Sequence, residues 1–499
     1  MSFSLRSILS RYTRIDLLLL LMLLLLLLGK FALIWGYTMD DAYITIRYAQ
    51  NWVNFGVLGW NINDPVPVEG YSNTLFLLLS SAAVYLGLNA IVLFKLVSMV
   101  AMLANVWLVL FFCQRLNPKL QLLAVLFYIS YPGFVLWGMS GLESLVFVTF
   151  NLFALAFFIR LTERDEKITT DAVLIGLFVF LAGVTRPEGP LMGIVIGVVL
   201  VFLRLYQRNY RRFVAEALPM GLTFFTLYGV YFYCRWSYFG EIFPNTYYVK
   251  SHTGHLDVPR EFLLTAALPL LIGAAGLFNR QWRLMLITIT LYMAAATCLV
   301  IGAHPVISFL NRLMLTPLLL SAVMMVFGLQ YLLERHPRVG KVLTVFLLVL
   351  NFALLYAGSV FSELLANTYV KRQANRAHIG EYLMQLGVKS YAMGDVGIIA
   401  TVTPGVHIYD YYGLNSKKYV SAEVDRDWDK YAAWMVAQQP EAIVLPSEEK
   451  DHFQLLPGIG YNILREMDKN GHYLPGQIFE VAGDNYRYRV YLYQKNSGG

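Results

Sequence analysis

Charged residues are scarce in this chain. They make up 14% of its 499 residues, whereas hydrophobic residues make up 58%. Soluble domains carry about 25% charged residues, so the composition excludes an ordinary soluble protein. Cysteine is rare too: Cys113, Cys234 and Cys298 all lie in or at the ends of apolar runs. An odd number without metal-ligand spacing argues against a disulfide framework or a zinc site and predicts buried, structural cysteines.

Motifs that bind nucleotides or catalytic metals are absent from the sequence. It has no Gly-Lys-Ser/Thr phosphate loop, no GxGxxG after a strand, no HExxH and no Cys/His zinc pattern. The free energy for any reaction must therefore arrive with the substrate. The net charge of +7 comes mostly from loops between apolar runs, as in the cytoplasmic loops of membrane proteins. We therefore expect no nucleic-acid partner.

Twelve apolar runs dominate the first 361 residues. They lie at 16–36, 74–87, 91–113, 119–136, 143–160, 171–185, 189–204, 214–236, 261–278, 283–302, 308–332 and 341–361. The first run follows three arginines, as a signal peptide does. However, it is long enough to span a bilayer and no small-residue cleavage site follows it, so we interpret it as a retained span.

The basic loops predict the topology. Arginine and lysine gather in alternate loops, and such loops face the cytoplasm. Twelve crossings would break this alternation, so one run must not cross. The run 74–87 is shorter than its neighbour, and at about 1.5 Å per residue it cannot cover a hydrocarbon core of about 30 Å. We assign it as a juxtamembrane helix, which leaves about eleven spans.

The fold class that follows is a polytopic α-helical membrane protein with a C-terminal soluble α/β domain. The membrane domain covers 1–361 and has its first outer loop at 37–73. The soluble domain covers 362–499, with a helical pattern near 372–386 and short β-like runs. Those runs lie at 390–393, 406–409, 442–445 and 487–493. We expect a multi-pass protein of the bacterial inner (cytoplasmic) membrane, with its site and C-terminal domain facing the periplasm.

Two adjacent carboxylates, Asp40 and Asp41, follow the first span. Charges are costly beside a membrane, so the pair suggests a base at its outer surface. An amphipathic pattern follows over 42–54. The simpler interpretation is that an aspartate caps this helix. One aspartate suffices for a cap, so the pair favours a functional role, either as a base or as ligands that could hold a divalent cation.

Other candidate binding residues fall on the same predicted face. They are Arg47, Glu69, Tyr71 and Asn73 in the first loop; Glu143, Arg186, Glu188, His304 and Arg312 at the ends of spans; Tyr247 and Lys250 in the loop 237–260; and Asp395 and Asp410 in the C-terminal domain. Several of them have a structural alternative. Glu143 could favour a helix start, Arg186 could pair with Glu188, Arg312 could reach the lipid headgroups, and turn chemistry could explain Asp395.

Several motifs resemble those of a known family. They are Asp40-Asp41-Ala42-Tyr43-Ile44, Val68-Glu69-Gly70-Tyr71-Ser72-Asn73, Gly141-Leu142-Glu143, Thr185-Arg186-Pro187-Glu188-Gly189, Asn311-Arg312 with Pro317, Gly394-Asp395-Val396-Gly397, and Asp410 with Gly413-Leu414. Together they resemble the GT-C glycosyltransferases, in particular the mycobacterial terminal arabinofuranosyltransferases and their bacterial relatives. The stretch Gly302-Ala303-His304-Pro305 departs from the Gly-Gly-Asp-like sequence expected there.

The resemblance implies an inverting glycosyltransferase. The donor would be a polyprenyl-phosphate sugar, with arabinofuranose favoured, and the acceptor an envelope glycan, a lipid or a protein. Asp40 matches the first acid of the family pair and would be the base, while Asp41 would orient the acceptor or the base. Glu69, Tyr71 and Glu143 would line the acceptor side, and Arg312 or Arg186 would stabilise the leaving phosphate.

Other classes of function share some of these features. A lipid-linked sugar transporter or flippase would also have many spans, but it predicts internal repeats and ionisable or broken segments at mid-membrane, which the sequence does not show. An O-antigen ligase or polymerase would use outer-face acids and bases without an aspartate pair so soon after the first span. A structural membrane scaffold is the remaining alternative.

Overall fold

The computed structural model describes residues 4–164, 168–250, 256–303, 305–447, 459–481 and 483–494. Its helices are α1 Leu5–Leu9, α2 Arg14–Leu33, α3 Asp41–Phe55, α4 Thr74–Tyr85, α5 Ala90–Cys113, α6 Pro118–Ser130, α7 Pro132–Met139, α8 Ser144–Glu163, α9 Ile168–Thr185, α10 Pro190–Tyr206, α11 Tyr210–Phe239, α12 Asn245–Lys250, α13 Asp257–Ala274, α14 Arg283–Leu299, α15 Leu315–Arg335, α16 Pro337–Gln385, α17 Gly397–Val402, α18 Trp428–Ala437 and α19 Ile459–Asn470. The strands are β1 Ser390–Met393, β2 His407–Asp410, β3 Ala442–Ser447, β4 Tyr473–Glu480 and β5 Arg487–Tyr493.

The polytopic helical fold is confirmed. Within the described residues, eight helices are long and apolar enough to cross a membrane. The pair α6–α7 would be a ninth span, bent by 58° where Pro132 cannot continue the hydrogen-bond ladder. The other two predicted spans correspond to α10 and α14, which have 17 residues each. The run 74–87 forms the 12-residue helix α4.

The chain divides into two compact units. The first comprises Met1–Trp35, Phe94–Cys234 and Thr253–Leu364. The second comprises Gly36–Leu93, Arg235–His252 and Leu365–Gly499. The second unit therefore gathers the first predicted outer loop, part of the loop 237–260 and the C-terminal segment.

The first unit is a bundle of apolar helices. A capping box starts α2, in which the Thr13 side chain accepts from the backbone of Asp16 and the Asp16 carboxylate accepts from the backbone of Thr13. Small residues let the helices approach closely. A Cβ on Gly328 of α15, for example, would lie 1.9 Å from the Ile272 carbonyl oxygen of α13.

The predicted burial of the cysteines is correct for only one of the three. Cys113 is buried, whereas Cys234 and Cys298 are exposed. The sides of a membrane helix that face lipid are as apolar as the sides that face protein. Apolar neighbours in the sequence therefore could not predict which cysteines are covered.

The second unit contains a five-stranded sheet of order β2-β1-β3-β5-β4. Strand β1 pairs in parallel with β2 and β3, and β5 is antiparallel to β3 and β4. Alternate residues of β1 enter two cores: Tyr391 and Met393 pack with α3 and α16, while Ala392 packs with α18 and α19. The C-terminal segment is therefore an α/β layer structure, as predicted, and the four predicted strands are confirmed.

Strand β4 was not predicted. It holds Pro475 and Gly476, it lies at the edge of the sheet, and its pairing with β5 is irregular between Pro475 and Ile478. Most of its residues are exposed. Proline and glycine are tolerated at such edges and bulges, but they remove the alternating apolar pattern that identifies a strand from sequence.

Candidate active site

The carboxylate of Asp40 is fixed by the backbone of α17. One carboxylate oxygen accepts a 2.7 Å hydrogen bond from the amide of Gly397, and the other accepts a 3.1 Å bond from the amide of Ile398. A Cβ at position 397 would lie 2.0 Å from the Asp40 carbonyl oxygen, so only glycine permits this approach. Asp40 precedes α3 but makes no side-chain cap to it. For Asp40 the alternative of a cap on α3 is therefore wrong, because its carboxylate binds the first turn of another helix.

A buried arginine joins Asp40 to Asp395. Arg376 of α16 lies 3.0 Å from the Asp395 carboxylate and 3.8 Å from that of Asp40. Its Nε donates to the hydroxyl of Tyr488 at 2.8 Å. The hydroxyls of Tyr486 and Tyr488 both donate to Asp395. We call these five residues the Asp40 cluster: Asp40, Arg376, Asp395, Tyr486 and Tyr488.

Within the Asp40 cluster, the pKa values of the two carboxyls are shifted in opposite directions. Burial raises the pKa of Asp40 above its ordinary value, and Arg376 and the two amides offset this only in part. Burial acts on Asp395 too, but Arg376 and the two tyrosine hydroxyls hold the pKa of Asp395 below its ordinary value. Such a divergence is typical of acid and base pairs in active sites. Asp395 therefore stays charged, while Asp40 becomes the more basic of the two.

Asp41 is placed differently. Its side chain is partly exposed and makes no hydrogen bond or ion pair with the rest of the described chain. Within the aspartate pair, the structure therefore distinguishes a fixed carboxylate, Asp40, from an open one, Asp41.

Arg47 is committed to the protein backbone. It is 2% exposed, and its guanidinium donates to the carbonyls of Trp60, Ala400 and Val406 at 2.8–2.9 Å. It also lies over the Trp60 ring. These contacts favour a structural role that joins α3 to the segment around α17.

The motif Glu69-Gly70-Tyr71 is also buried. Two guanidinium nitrogens of Arg235 lie 2.6 and 2.7 Å from the Glu69 carboxylate, so this acid has its own counter-ion. Tyr71 packs edge-on against Tyr48. A Cβ at Gly70 would lie 1.8 Å from the Asn415 side-chain oxygen. Glycine is therefore required where the first loop meets the 410–415 turn.

The remaining predicted residues of the second unit have mixed surroundings. Asn73 accepts a 3.0 Å bond from the hydroxyl of Thr45. Tyr247 is 49% exposed and packs on Phe243. Lys250 ends α12, and its charge offsets a small part of the rise in the pKa of Asp410 that burial causes.

Asp410 closes the turn after β2. Its carboxylate accepts from the amide of Tyr412 at 2.9 Å and from the amide and side chain of Asn415 at 3.0 and 2.9 Å. Despite these donors, burial raises the pKa of Asp410 to about 6.

This pKa predicts a pH-dependent stability. Between its ordinary value and about 6, folded Asp410 binds more protons than the unfolded group, so its contribution to stability falls as pH rises through that window. The shift corresponds to about 3 kcal/mol. We expect the melting temperature of wild type, measured from pH 4 to 8, to decline more through this window than that of Asp410→Asn. Parallel profiles would contradict the assignment.

A second group of predicted residues lies in the first unit. Glu143 is 3.4 Å from Arg312 and 3.7 Å from Arg186, and Arg186 is 2.6 Å from Glu188. The pairing of Arg186 with Glu188, raised as an alternative, is therefore present. Two guanidiniums and two carboxylates compensate one another. Arg312 also lies over Trp137 and Arg186 over Phe147, so aromatic faces cover both cations.

The predicted candidates are thus divided between the two units. His304 lies outside the described residues. Asn311, beside Arg312, has φ +56° after Leu310 at φ +50°, a backbone that leucine adopts rarely and asparagine more readily. The side-chain amide of Asn311 donates to the hydroxyls of Tyr131 and Thr265. These two hydrogen bonds hold the turn before α15.

Arg376 and Arg235 were not predicted, although both neutralise predicted acids. Arg235 lies near the end of the apolar helix α11, and Arg376 lies in the polar C-terminal part of α16. Arg235 is far in sequence from Glu69, as Arg376 is from Asp40. Tyr486 and Tyr488, two residues apart where β5 begins, were the available signal for the hydroxyls around Asp395. No three histidine, cysteine, aspartate or glutamate side chains come together as a metal site in the part of the chain that the structure describes.

No family model matches the sequence, and no curated protein matches it in a sequence comparison. Solved structures do match. ArnT from Cupriavidus metallidurans bound to undecaprenyl phosphate has a TM-score of 0.57 and 12% identity, over 97% of this chain and 99% of that one. The archaeal oligosaccharyltransferase AglB from Archaeoglobus fulgidus, in complex with an inhibitory peptide and a dolichol-phosphate, has a TM-score of 0.53 and 12% identity, over 98% and 75%.

Arabinofuranosyltransferase AftD from Mycobacteria is also similar, with a TM-score of 0.50 and 14% identity. The match covers 95% of this chain but 40% of AftD. At these identities the similarity establishes the fold, and it leaves the substrate open.

Proposed function

Because the chain has the GT-C fold, we propose that it is an inverting glycosyltransferase. It would transfer a sugar, with arabinofuranose favoured, from a polyprenyl-phosphate donor to an envelope glycan, lipid or protein. The transfer would occur at the outer face of the bacterial inner membrane. The similar proteins bound to undecaprenyl phosphate or a dolichol-phosphate support a lipid-phosphate donor. The sequence resemblance supports the sugar.

The observation that carries the proposal is the Asp40 cluster. A general base needs a carboxylate that is fixed in position and has a raised pKa. The two α17 amides fix Asp40, and burial raises its pKa. Asp41, being open, would orient the acceptor hydroxyl. Glu69 and Tyr71 would shape the acceptor side from within the same unit.

The reaction would be a single displacement. Asp40 takes the proton from the acceptor hydroxyl, and the acceptor oxygen forms the new bond to the anomeric carbon of the sugar. The bond from that carbon to the phosphate oxygen breaks, and the polyprenyl phosphate leaves with the electron pair. One displacement inverts the anomeric configuration. The bond to phosphate supplies the driving force, in keeping with a chain that lacks nucleotide-binding motifs.

A donor panel tests this function. Purified protein in lipid nanodiscs would be given polyprenyl-phosphate arabinofuranose, mannose and other hexoses, and release of polyprenyl phosphate would be followed. We expect release from the arabinofuranosyl donor to exceed release from the others. Release from a hexose donor alone would overturn the sugar assignment. Release from none, by protein that also fails to bind them, would overturn the transferase.

Reporter fusions test the orientation. We place α4 on the outer face and let α5 cross the membrane. A reporter fused after Leu88 should therefore lie in the periplasm, and a reporter fused after Asn117 should lie in the cytoplasm. This follows from the basic loops. A cytoplasmic signal at position 88 would contradict the proposed location of the site, and a junction after Arg280 provides a second cytoplasmic control.

A further inference from the structure

A groove in the first unit, away from the residues considered above, has the chemistry of a lipid site. It has a volume of about 440 Å³ and is lined by α2, α7 and α16. This volume falls within the usual range of ligand pockets. Most of its lining is aliphatic, including Leu25 and Leu33, which are 59% and 60% exposed. The groove therefore lies on a side of the helices suited to contact the bilayer.

One cation stands in this apolar lining. Lys30 lies in the last turn of α2 and donates a 3.0 Å hydrogen bond to the Ile129 carbonyl. That carbonyl adjoins the break between α6 and α7, where Pro132 offers no amide donor. Lys30 forms no ion pair with any residue that the structure describes. An ammonium has three N–H donors, so two remain for a ligand, and a cation at membrane depth requires a counter-charge.

Two hydroxyls complete the polar part of the groove. Ser359 and Ser362 donate to the carbonyls of Leu355 and Gly358 in their own helix, at 2.6 Å each. Their protons are engaged, so toward a ligand these oxygens can only accept. The groove thus offers N–H donors beside hydroxyl acceptors above an apolar channel.

We propose that this groove binds an anionic glycerophospholipid with a hydroxylated headgroup, of the phosphatidylglycerol class. Its phosphate pairs with Lys30, its headgroup hydroxyls donate to Ser359 and Ser362, and an acyl chain lies along Leu25 and Leu33. A polyprenyl phosphate could meet the apolar lining and the cation. It has no headgroup hydroxyls for the serines, so the acceptors select the glycerol lipid. This site does not depend on the proposed transferase activity.

Lipid binding to the detergent-purified full chain, measured by native mass spectrometry, tests the proposal. Phosphatidylglycerol, phosphatidylcholine and polyprenyl phosphate would be added singly and in competition. We expect wild type to retain phosphatidylglycerol about tenfold better than phosphatidylcholine, as one charged hydrogen bond implies. It should also prefer phosphatidylglycerol to polyprenyl phosphate. Equal retention of phosphatidylglycerol and phosphatidylcholine, or preferential retention of polyprenyl phosphate, would overturn the assignment.

Variants locate the site. Lys30→Met should abolish the preference for phosphatidylglycerol, whereas Lys341→Met, at an exposed lysine at the start of α16, should leave it intact. Gly29 lines the groove, and a Cβ there meets nothing within 4 Å. Gly29→Phe should therefore fill the space and reduce retention while keeping Lys30. Unchanged retention in both groove variants would place the lipid elsewhere and refute the site. If Lys30→Met does not fold, Gly29→Phe and the wild-type competition still test whether the groove binds the lipid.

Discussion

Replacing Asp40 by asparagine should reduce glycosyl transfer by about 10²- to 10⁴-fold, the usual contribution of a general base. Asparagine has nearly the shape of aspartate, but its amide cannot take the acceptor proton. Its single oxygen can still accept from one of the two α17 amides, so the loss of stability should be small, about 1 kcal/mol. The measurements are the initial rate of polyprenyl-phosphate release and the melting temperature of the same preparation.

Asp41→Asn is the matched control for Asp40→Asn. Asp41 is partly exposed and belongs to the same turn, so its variant tests the loss of one charge without disturbing α17. We expect a smaller loss of rate, mainly through weaker acceptor binding. Full activity of a folded Asp40→Asn, together with an inactive Asp41→Asn, would transfer the role of base to Asp41. Full activity of both would exclude the pair from the chemistry.

The helical membrane fold could be predicted from sequence because its causes are local. A run such as Leu17–Leu28 can only be a span or a buried helix, and a run of 14 residues cannot cross a bilayer. Motifs of the first loop also singled out Asp40 and Glu69 as candidate functional acids, and the structure gives each of them an arginine partner. These features can be predicted because each depends on a short stretch of sequence.

The partners of those acids could not be predicted, because they depend on contacts distant in sequence. Asp40 meets Gly397, 357 positions further along the chain, and Arg235 meets Glu69 across 166 positions. The sequence shows that a charge near a membrane needs compensation, but it does not show which arginine supplies it. Arg47 shows the same limit. The sequence suggested a substrate contact, but its guanidinium donates to three backbone carbonyls, two of them in the C-terminal segment.

The second large effect is expected at Arg376. Arg376→Met would keep much of the side-chain volume but leave two carboxylates, Asp40 and Asp395, without the buried cation that they share. Removing one partner of a buried ion pair typically costs about 3–5 kcal/mol. The second unit should therefore melt at a clearly lower temperature. In any protein that stays folded, transfer should fall as well, because Asp40 would lose part of its fixed environment. Chemical or thermal unfolding in nanodiscs provides the measurement.

Arg372→Met, one turn earlier on α16, separates this effect from the mere loss of an arginine. Arg372 also pairs with an aspartate, Asp484, at 2.6 Å, but its side chain is 24% exposed against 7% for Arg376. Ion pairs that reach solvent contribute about 0–1 kcal/mol. Equal destabilisation by the two variants would mean that Arg376 contributes no more to stability than the more exposed Arg372. If Arg376→Met is far less stable than Arg372→Met, and Asp40→Asn partly restores it by removing one of the unpaired charges, then Arg376 compensates Asp40 directly.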